Sequence, residues 1–220
     1  MFTSEMYESI KKVEATREER MKTEPRRMTA EEKDALLREY HPDYRADGFE
    51  EMEALCPVDI LRRAEKDVTI VGVGEQVIVG SHQIPVVADI NAAEIVLDDS
   101  LEMIILPGGM PGTLNLEKNC YVQKAIDFCA ENNKFIGAIC AAPSVLGHKG
   151  LLENKEAICF PGFEEQLTGA VISDAYVVQD GNIITAKGAG VAQEFGLKLV
   201  EALCGENRAA SLKKSLQCSN

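Results

Sequence analysis

Cys140 ends the apolar run Phe135-Ile-Gly-Ala-Ile139 and is followed by Ala141-Ala142-Pro143. Pro143 suits the first turn of a helix, where a missing N–H leaves nothing unsatisfied. A thiol on such a strand-to-helix turn has the form of a nucleophile elbow and faces the positive end of a helix dipole, which favours thiolate. Taken alone, the same residue also reads as an inert core cysteine, because free cysteines are among the most buried side chains. Leu106-Pro107-Gly108-Gly109 ends a second apolar run, Met103–Leu106. Paired glycines let backbone N–H groups approach a ligand as an oxyanion hole requires, and they equally suit an ordinary turn. Asp47-Gly48-Phe49-Glu50-Glu51-Met52-Glu53 places three glutamates at the start of a helix. Glu50 and Glu51 read as solvated capping acids. Glu53 precedes Ala54 and Leu55 and is expected to face inward, where burial raises a carboxyl's pKa and lets it donate a hydrogen bond to sulfur or shuttle a proton.

The elements that must position these groups follow from hydrophobic periodicity. Leu55, Val58 and Leu61 form a helical stripe over Glu51–Ala64 that contains Pro57. Val68–Val73 is a short β-branched run suited to a buried parallel strand. Val77–Val79 and Ile84–Val87 form a small β excursion joined through Gly80. Asn119 caps a helix whose Val122, Ala125, Ile126 and Cys129 share a face. Asp180-Gly181 between Val177–Gln179 and Asn182–Thr185 signals a hairpin. Val191–Leu203 is a final helix stopped by Gly205. Strands alternating with helices imply a parallel sheet covered on both faces, with ligands bound beyond the carboxyl ends of its strands.

The first 45 residues differ. They carry 10 basic and 11 acidic side chains, and their apolar residues are few. Ser4 can start one short helix and Thr29-Ala30-Glu31-Glu32 a second, which His41-Pro42 stops. The expected organisation is therefore a helical arm over residues 1–45, an α/β domain over 46–205 and a tail over 206–220. A net charge of −13 argues against a nucleic-acid or anionic-membrane surface. No window is apolar enough to cross a membrane. Seven cysteines without C-x-x-C spacing, and three histidines away from any cysteine pair, argue against a metal site. Scattered thiols and a charged beginning suit a reducing cytoplasm. Val71-Gly72-Val73-Gly74-Glu75 lacks the third glycine of a dinucleotide-binding loop, so no organic cofactor is expected.

The segments ADGFEEMEALCPVDILRRA, IILPGGMPG, IGAICAAPSVLG, FPGFEEQL and VVQDGNIITAKGAGVAQEFGLKLVEAL, in this order, resemble the ThiJ/PfpI superfamily, most closely its DJ-one branch of protein deglycases and glyoxalase III enzymes. The resemblance spans Ala46–Gly205. It implies a flavodoxin-like parallel-sheet, three-layer sandwich, here with a helical N-terminal extension, and a homodimer. It aligns the family's reactive cysteine with Cys140, its thiol-contacting glutamate with Glu53, and its oxyanion-binding amides with Gly109 and Ala141.

The chain departs from the family in two places. Ala141 follows Cys140, where protease-like relatives need a histidine at or near the nucleophile. Where some DJ-one relatives place a nearby histidine, this chain has Phe160. His148 lies about two helical turns beyond Cys140. Without an imidazole to carry the proton, peptide hydrolysis is disfavoured. The family's first, central strand is replaced by Arg38-Glu-Tyr-His-Pro-Asp-Tyr-Arg45, in which Pro42 cannot donate to a ladder. Residues 1–45 instead bear a short resemblance to the arm of some succinate-dehydrogenase-like flavoproteins. The expected function is cofactor-free conversion of a small aldehyde or glycated adduct, such as methylglyoxal to lactate. The alternative is a redox-sensing or chaperone-like stress protein that uses the same cysteine.

Overall fold

The computed structural model describes residues 48–218. The helices expected in the arm, and the strand in question over residues 38–47, lie outside the described residues. The chain then runs α1 (Glu51–Arg63), β1 (Val71–Gly72), β2 (Val77–Val79), β3 (Pro85–Val87), β4 (Ile90–Asn91), β5 (Met103–Leu106), α2 (Gly112–Lys118), α3 (Cys120–Glu131), β6 (Phe135–Ile139), α4 (Pro143–His148), β7 (Glu156–Ala157), β8 (Val171–Ile172), β9 (Val177–Asp180), β10 (Ile183–Ala186), α5 (Ala192–Cys204) and α6 (Glu206–Ser215).

A four-stranded sheet in the order β5-β6-β10-β9 forms the centre. β6 lies parallel to both β5 and β10, and β9 closes the edge antiparallel through the hairpin at Gly181. Side chains alternate between two cores, as the two-residue strand period requires. Ile104, Leu106, Ile136, Ala138 and Ile183 pack toward Val122, Ile126 and Cys129 of α3 and Val145 and Leu146 of α4. Met103, Ile105, Ile139, Ile184 and Ala186 pack toward α1, α5 and α6 through Ile60, Phe195, Leu199 and Leu212. Helices thus cover both faces, and the α/β reading holds.

Four elements differ from expectation. The run Val68–Val73 forms a ladder only over Val71–Gly72, parallel to β4, and its side chains alternate in exposure instead of being buried throughout. One reason is local: the Ile70 N–H donates to the Asp89 carboxylate at 2.8 Å, not to a strand. Residues 206–220, expected as a tail, contain α6, whose Ala209 and Leu212 join the core beside α5. A short parallel pair, β7 with β8, had no sequence signal because two residues carry no periodicity. The capping expectations agree: Asn119 Oδ1 accepts from the N–H groups of Tyr121 and Val122, and Gly205 ends α5 at φ 85°.

Candidate active site

Cys140 follows β6 directly and has φ 65°, in the left-handed region that a non-glycine residue enters at a cost of about 1–3 kcal/mol. Its backbone is held on both sides. The Cys140 N–H donates to the Ala186 carbonyl at 2.9 Å, extending the β6–β10 ladder by one bond, and its carbonyl accepts from the Phe160 N–H at 2.8 Å. The turn then tightens through the Ala142 N–H to Ile139 and the Ser144 N–H and Oγ to the Ala141 carbonyl, before Pro143 opens α4. The strained residue therefore carries the half-buried thiol, and the surrounding hydrogen bonds fix its direction.

Glu53 is delivered from α1. Residues 48–50 run between the end of β2 and the turn after β5. The Gly48 N–H donates to the Val79 carbonyl at 3.0 Å, and the Glu50 N–H donates to the Gly108 carbonyl at 2.9 Å. Glu50 caps α1 by accepting the Glu53 N–H at 2.8 Å. Glu53, 1% exposed, reaches into the sheet edge, where its Oε2 accepts the Gly108 N–H at 2.9 Å. The carboxyl also accepts a backbone N–H at Ala189 and shares a hydrogen bond with the Cys140 thiol.

Both glycines of Leu106-Pro-Gly-Gly109 are required by close approach. A Cβ on Gly108 would stand 2.6 Å from the Cys140 Cβ and 2.6 Å from Glu53 Oε2. Gly109 has φ 89°, and a Cβ there would meet the Glu50 N at 2.4 Å. The N–H groups of Gly109 and Ala141 point to the Cys140 sulfur. Cys140, Glu53, Gly109 and Ala141, the four residues singled out from sequence, thus meet at one point.

The protonation of the pair differs from the sequence expectation of a dipole-stabilised thiolate. Burial, with the charge of Glu53 beside it, pushes the Cys140 thiol up to about 12, against the pull of the Gly109 and Ala141 amides. Burial, with some repulsion from Glu50, raises the Glu53 carboxyl to about 7. The physical reason is that desolvation and the neighbouring Glu53 disfavour a charged sulfur by more than the nearby N–H groups favour it. The two groups titrate as a unit. Between about 7 and about 12 they share one proton, which the sulfur keeps while the carboxyl carries the negative charge.

Glu51 departs from the solvated reading: it is 5% exposed. Its carboxylate accepts the His82 N–H at 2.7 Å, bonds His82 Nδ1 at 2.8 Å and takes the Ser81 hydroxyl at 3.3 Å. Glu50, Glu51 and His82 bring one potential metal-ligating atom each within 4.8 Å of one another, but Glu51 and His82 are already committed to each other. Sequence reasoning missed this cluster, since nothing in the spacing links residues 51 and 82. It also missed the Gly108 and Ala189 anchors of Glu53; the glycine-rich turn Lys187-Gly-Ala-Gly190 was the available signal for the second. His148 pairs with Glu117 instead of the site. No helix among the described residues is long and apolar enough to cross a membrane.

A parallel α/β sheet with a left-handed cysteine at its carboxyl edge, bonded to a buried glutamate from the first helix, defines a class of cysteine-elbow proteins. The chain belongs to the DJ-1/PfpI family, whose sequence profile matches residues 44–202. It is similar to protein dj-1beta of Drosophila melanogaster, 34% identical over 174 residues, or 78% of this chain and 92% of that protein. It is also similar to the glutathione-independent glyoxalase DJ-1 of Schizosaccharomyces pombe, 34% identical over 181 residues, or 78% of this chain and 94% of that protein. Two Arabidopsis thaliana homologues are longer, and the match spans 39% and 44% of them. Among solved structures, Drosophila DJ-1beta superposes with a TM-score of 0.74 at 33% identity, covering 80% of this chain and 96% of that one. Oxidized Toxoplasma gondii DJ-1 gives 0.75 at 30% identity, with the same coverage.

Proposed function

We propose that the protein is a cofactor-independent glyoxalase or protein deglycase that uses Cys140 to convert small 2-oxoaldehydes, or their early adducts on amino groups, into 2-hydroxy acids. The observation that carries this reading is the convergence of the Cys140 sulfur, the Glu53 carboxyl and the Gly109 and Ala141 N–H groups. The similarity to a relative named for glyoxalase activity supports it.

With methylglyoxal, the thiol gives its proton to the Glu53 carboxylate as the sulfur attacks the aldehyde carbon; a C–S bond forms, the C=O π bond opens, and the oxygen takes that proton from Glu53 to give a hemithioacetal. The Gly109 and Ala141 N–H groups, which face the sulfur, donate to the oxygen as it gains charge. Glu53, buried and near neutral pKa, takes the hydrogen of the new hemithioacetal carbon as a proton and returns one to the neighbouring carbon. The first carbon is oxidised to a thioester as the second is reduced to an alcohol, so no external oxidant is consumed. Water then cleaves the C–S bond, lactate leaves and the thiol recovers its proton. The substrate is the small aldehyde or glycated adduct; the family resemblance adds a second copy of the chain as partner, and the seven free thiols suit a reducing cytoplasm. Lactate formation from methylglyoxal by the purified protein is the test, and unchanged rates in Cys140→Ala would rule the proposal out.

A second reading, a redox-sensing stress protein, is favoured by the carboxyl hydrogen-bonded to the sulfur, which as an acid would hold an oxygen of a cysteine sulfinate. Selective gain of two oxygens at Cys140 after peroxide, read by peptide mass, supports it; oxidation spread over several cysteines counts against it.

A further inference from the structure

Of the six described phenylalanines, Phe160 alone is exposed, at 48%. It is not a stray surface residue. Cys159 before it is fully buried, its own N–H is fixed on the Cys140 carbonyl at 2.8 Å, and its carbonyl accepts the Phe163 N–H at 3.1 Å. Its ring lies over the backbone of Gly188. The point where a Gly188 Cβ would stand is 3.3 Å from Phe160 Cδ2 and 3.9 Å from Glu53 Oε1. An aromatic edge and the reacting carboxyl therefore border the same small space, which stays open because residue 188 has no side chain. Met110, next to the Gly109 amide, is also exposed, at 47%.

We propose that Phe160 is a specificity-determining residue that selects 2-oxoaldehydes and related carbonyl compounds bearing a bulky apolar or aromatic group beside the reacting carbonyl. The inference deepens the proposed function and rests on Cys140 as the attacking group. A fixed, half-exposed ring beside a carboxyl can neither donate nor accept a hydrogen bond, so it discriminates by apolar contact and offset stacking. A substituent that covers the ring keeps its contact through the transition state, whereas a methyl group covers little of it. Apolar pockets discriminate such differences by about ten- to two-hundredfold.

The test has two arms. In the first, kcat/KM for phenylglyoxal and for methylglyoxal are measured on the full chain, in wild type, Phe160→Ala and Phe160→Leu. The wild type is expected to favour phenylglyoxal by about tenfold. Phe160→Ala should remove that advantage mainly through KM, and Phe160→Leu should restore part of it. In the second arm, Cys140 is alkylated with phenacyl bromide or with bromoacetone, the sulfur displacing bromide as the S–C bond forms. Each rate is divided by that of a free thiol and followed by peptide mass. The phenacyl-to-acetonyl ratio should fall about tenfold in Phe160→Ala. Equal ratios in wild type and Phe160→Ala, in either arm, overturn the inference. If neither aldehyde is turned over, the glyoxalase reading falls, and the alkylation ratio alone decides the role of Phe160.

Discussion

Helix α1 carries two nearly buried glutamates two residues apart, and they are driven in opposite directions. For Glu51, burial pulls the carboxyl pKa up, but the His82 side chain and nearby backbone N–H groups hold it below the ordinary range. For Glu53, burial wins and the carboxyl rises to about 7. The difference lies in the partners. Glu51 faces an imidazole that can carry positive charge; Glu53 faces a thiol and two backbone N–H groups, none of which brings a full positive charge. The same helix turn thus supplies an ion-paired anchor at one position and, at the other, the carboxyl to which the proposed reaction assigns the proton transfer.

Removing the groups that the proposed reaction uses at the second position should have the largest effect. Cys140→Ala is expected to abolish lactate formation, and Glu53→Gln to lower it by about 10²–10⁴-fold in a coupled lactate assay. Gly108→Val forces a Cβ between the pair. It should cost about 10²-fold in kcat and about 1–3 kcal/mol in denaturant melts. The pH dependence follows from the shared proton. Below about 7 both groups are protonated and the sulfur is idle. The rate should therefore rise about tenfold per pH unit toward 7 and flatten above it.

Stability should separate the two glutamates. Glu53 binds its proton more tightly folded than unfolded, so its contribution is fully present below its ordinary 4.5 and is lost as pH climbs to about 7. Glu53→Gln should therefore gain roughly 1–3 kcal/mol at pH 8 and nothing at pH 4, while losing activity. The Glu51–His82 pair behaves oppositely at the acidic end. Glu51, lowered, stabilises above 4.5 and loses that as pH falls; His82, raised by Glu51, stabilises below 6.5 and loses that as pH rises through its folded value. His82→Ala is the smallest effect: a slightly lower Tm, most evident between pH 4.5 and 6.5, with kcat for methylglyoxal unchanged. Equal loss of activity in His82→Ala and Glu53→Gln would erase the distinction.

The sequence by itself determined most of the helices and central strands and singled out the four residues that the fold brings together. The run into Cys140, the paired glycines after Leu106 and the inward Glu53 are local signals, each set by a strand end, a turn or a helix period, and the ordered family motifs joined them. Tertiary structure alone decided the charges. Whether a carboxyl rises or falls depends on which groups from residues 82, 108, 140 and 189 surround it, and those distances in sequence leave no pattern to read. It also decided that the thiol is held up by burial and by the Glu53 carboxyl beside it rather than drawn down by the helix that follows. Desolvation depends on everything packed around a group, and packing is fixed only when the chain has closed.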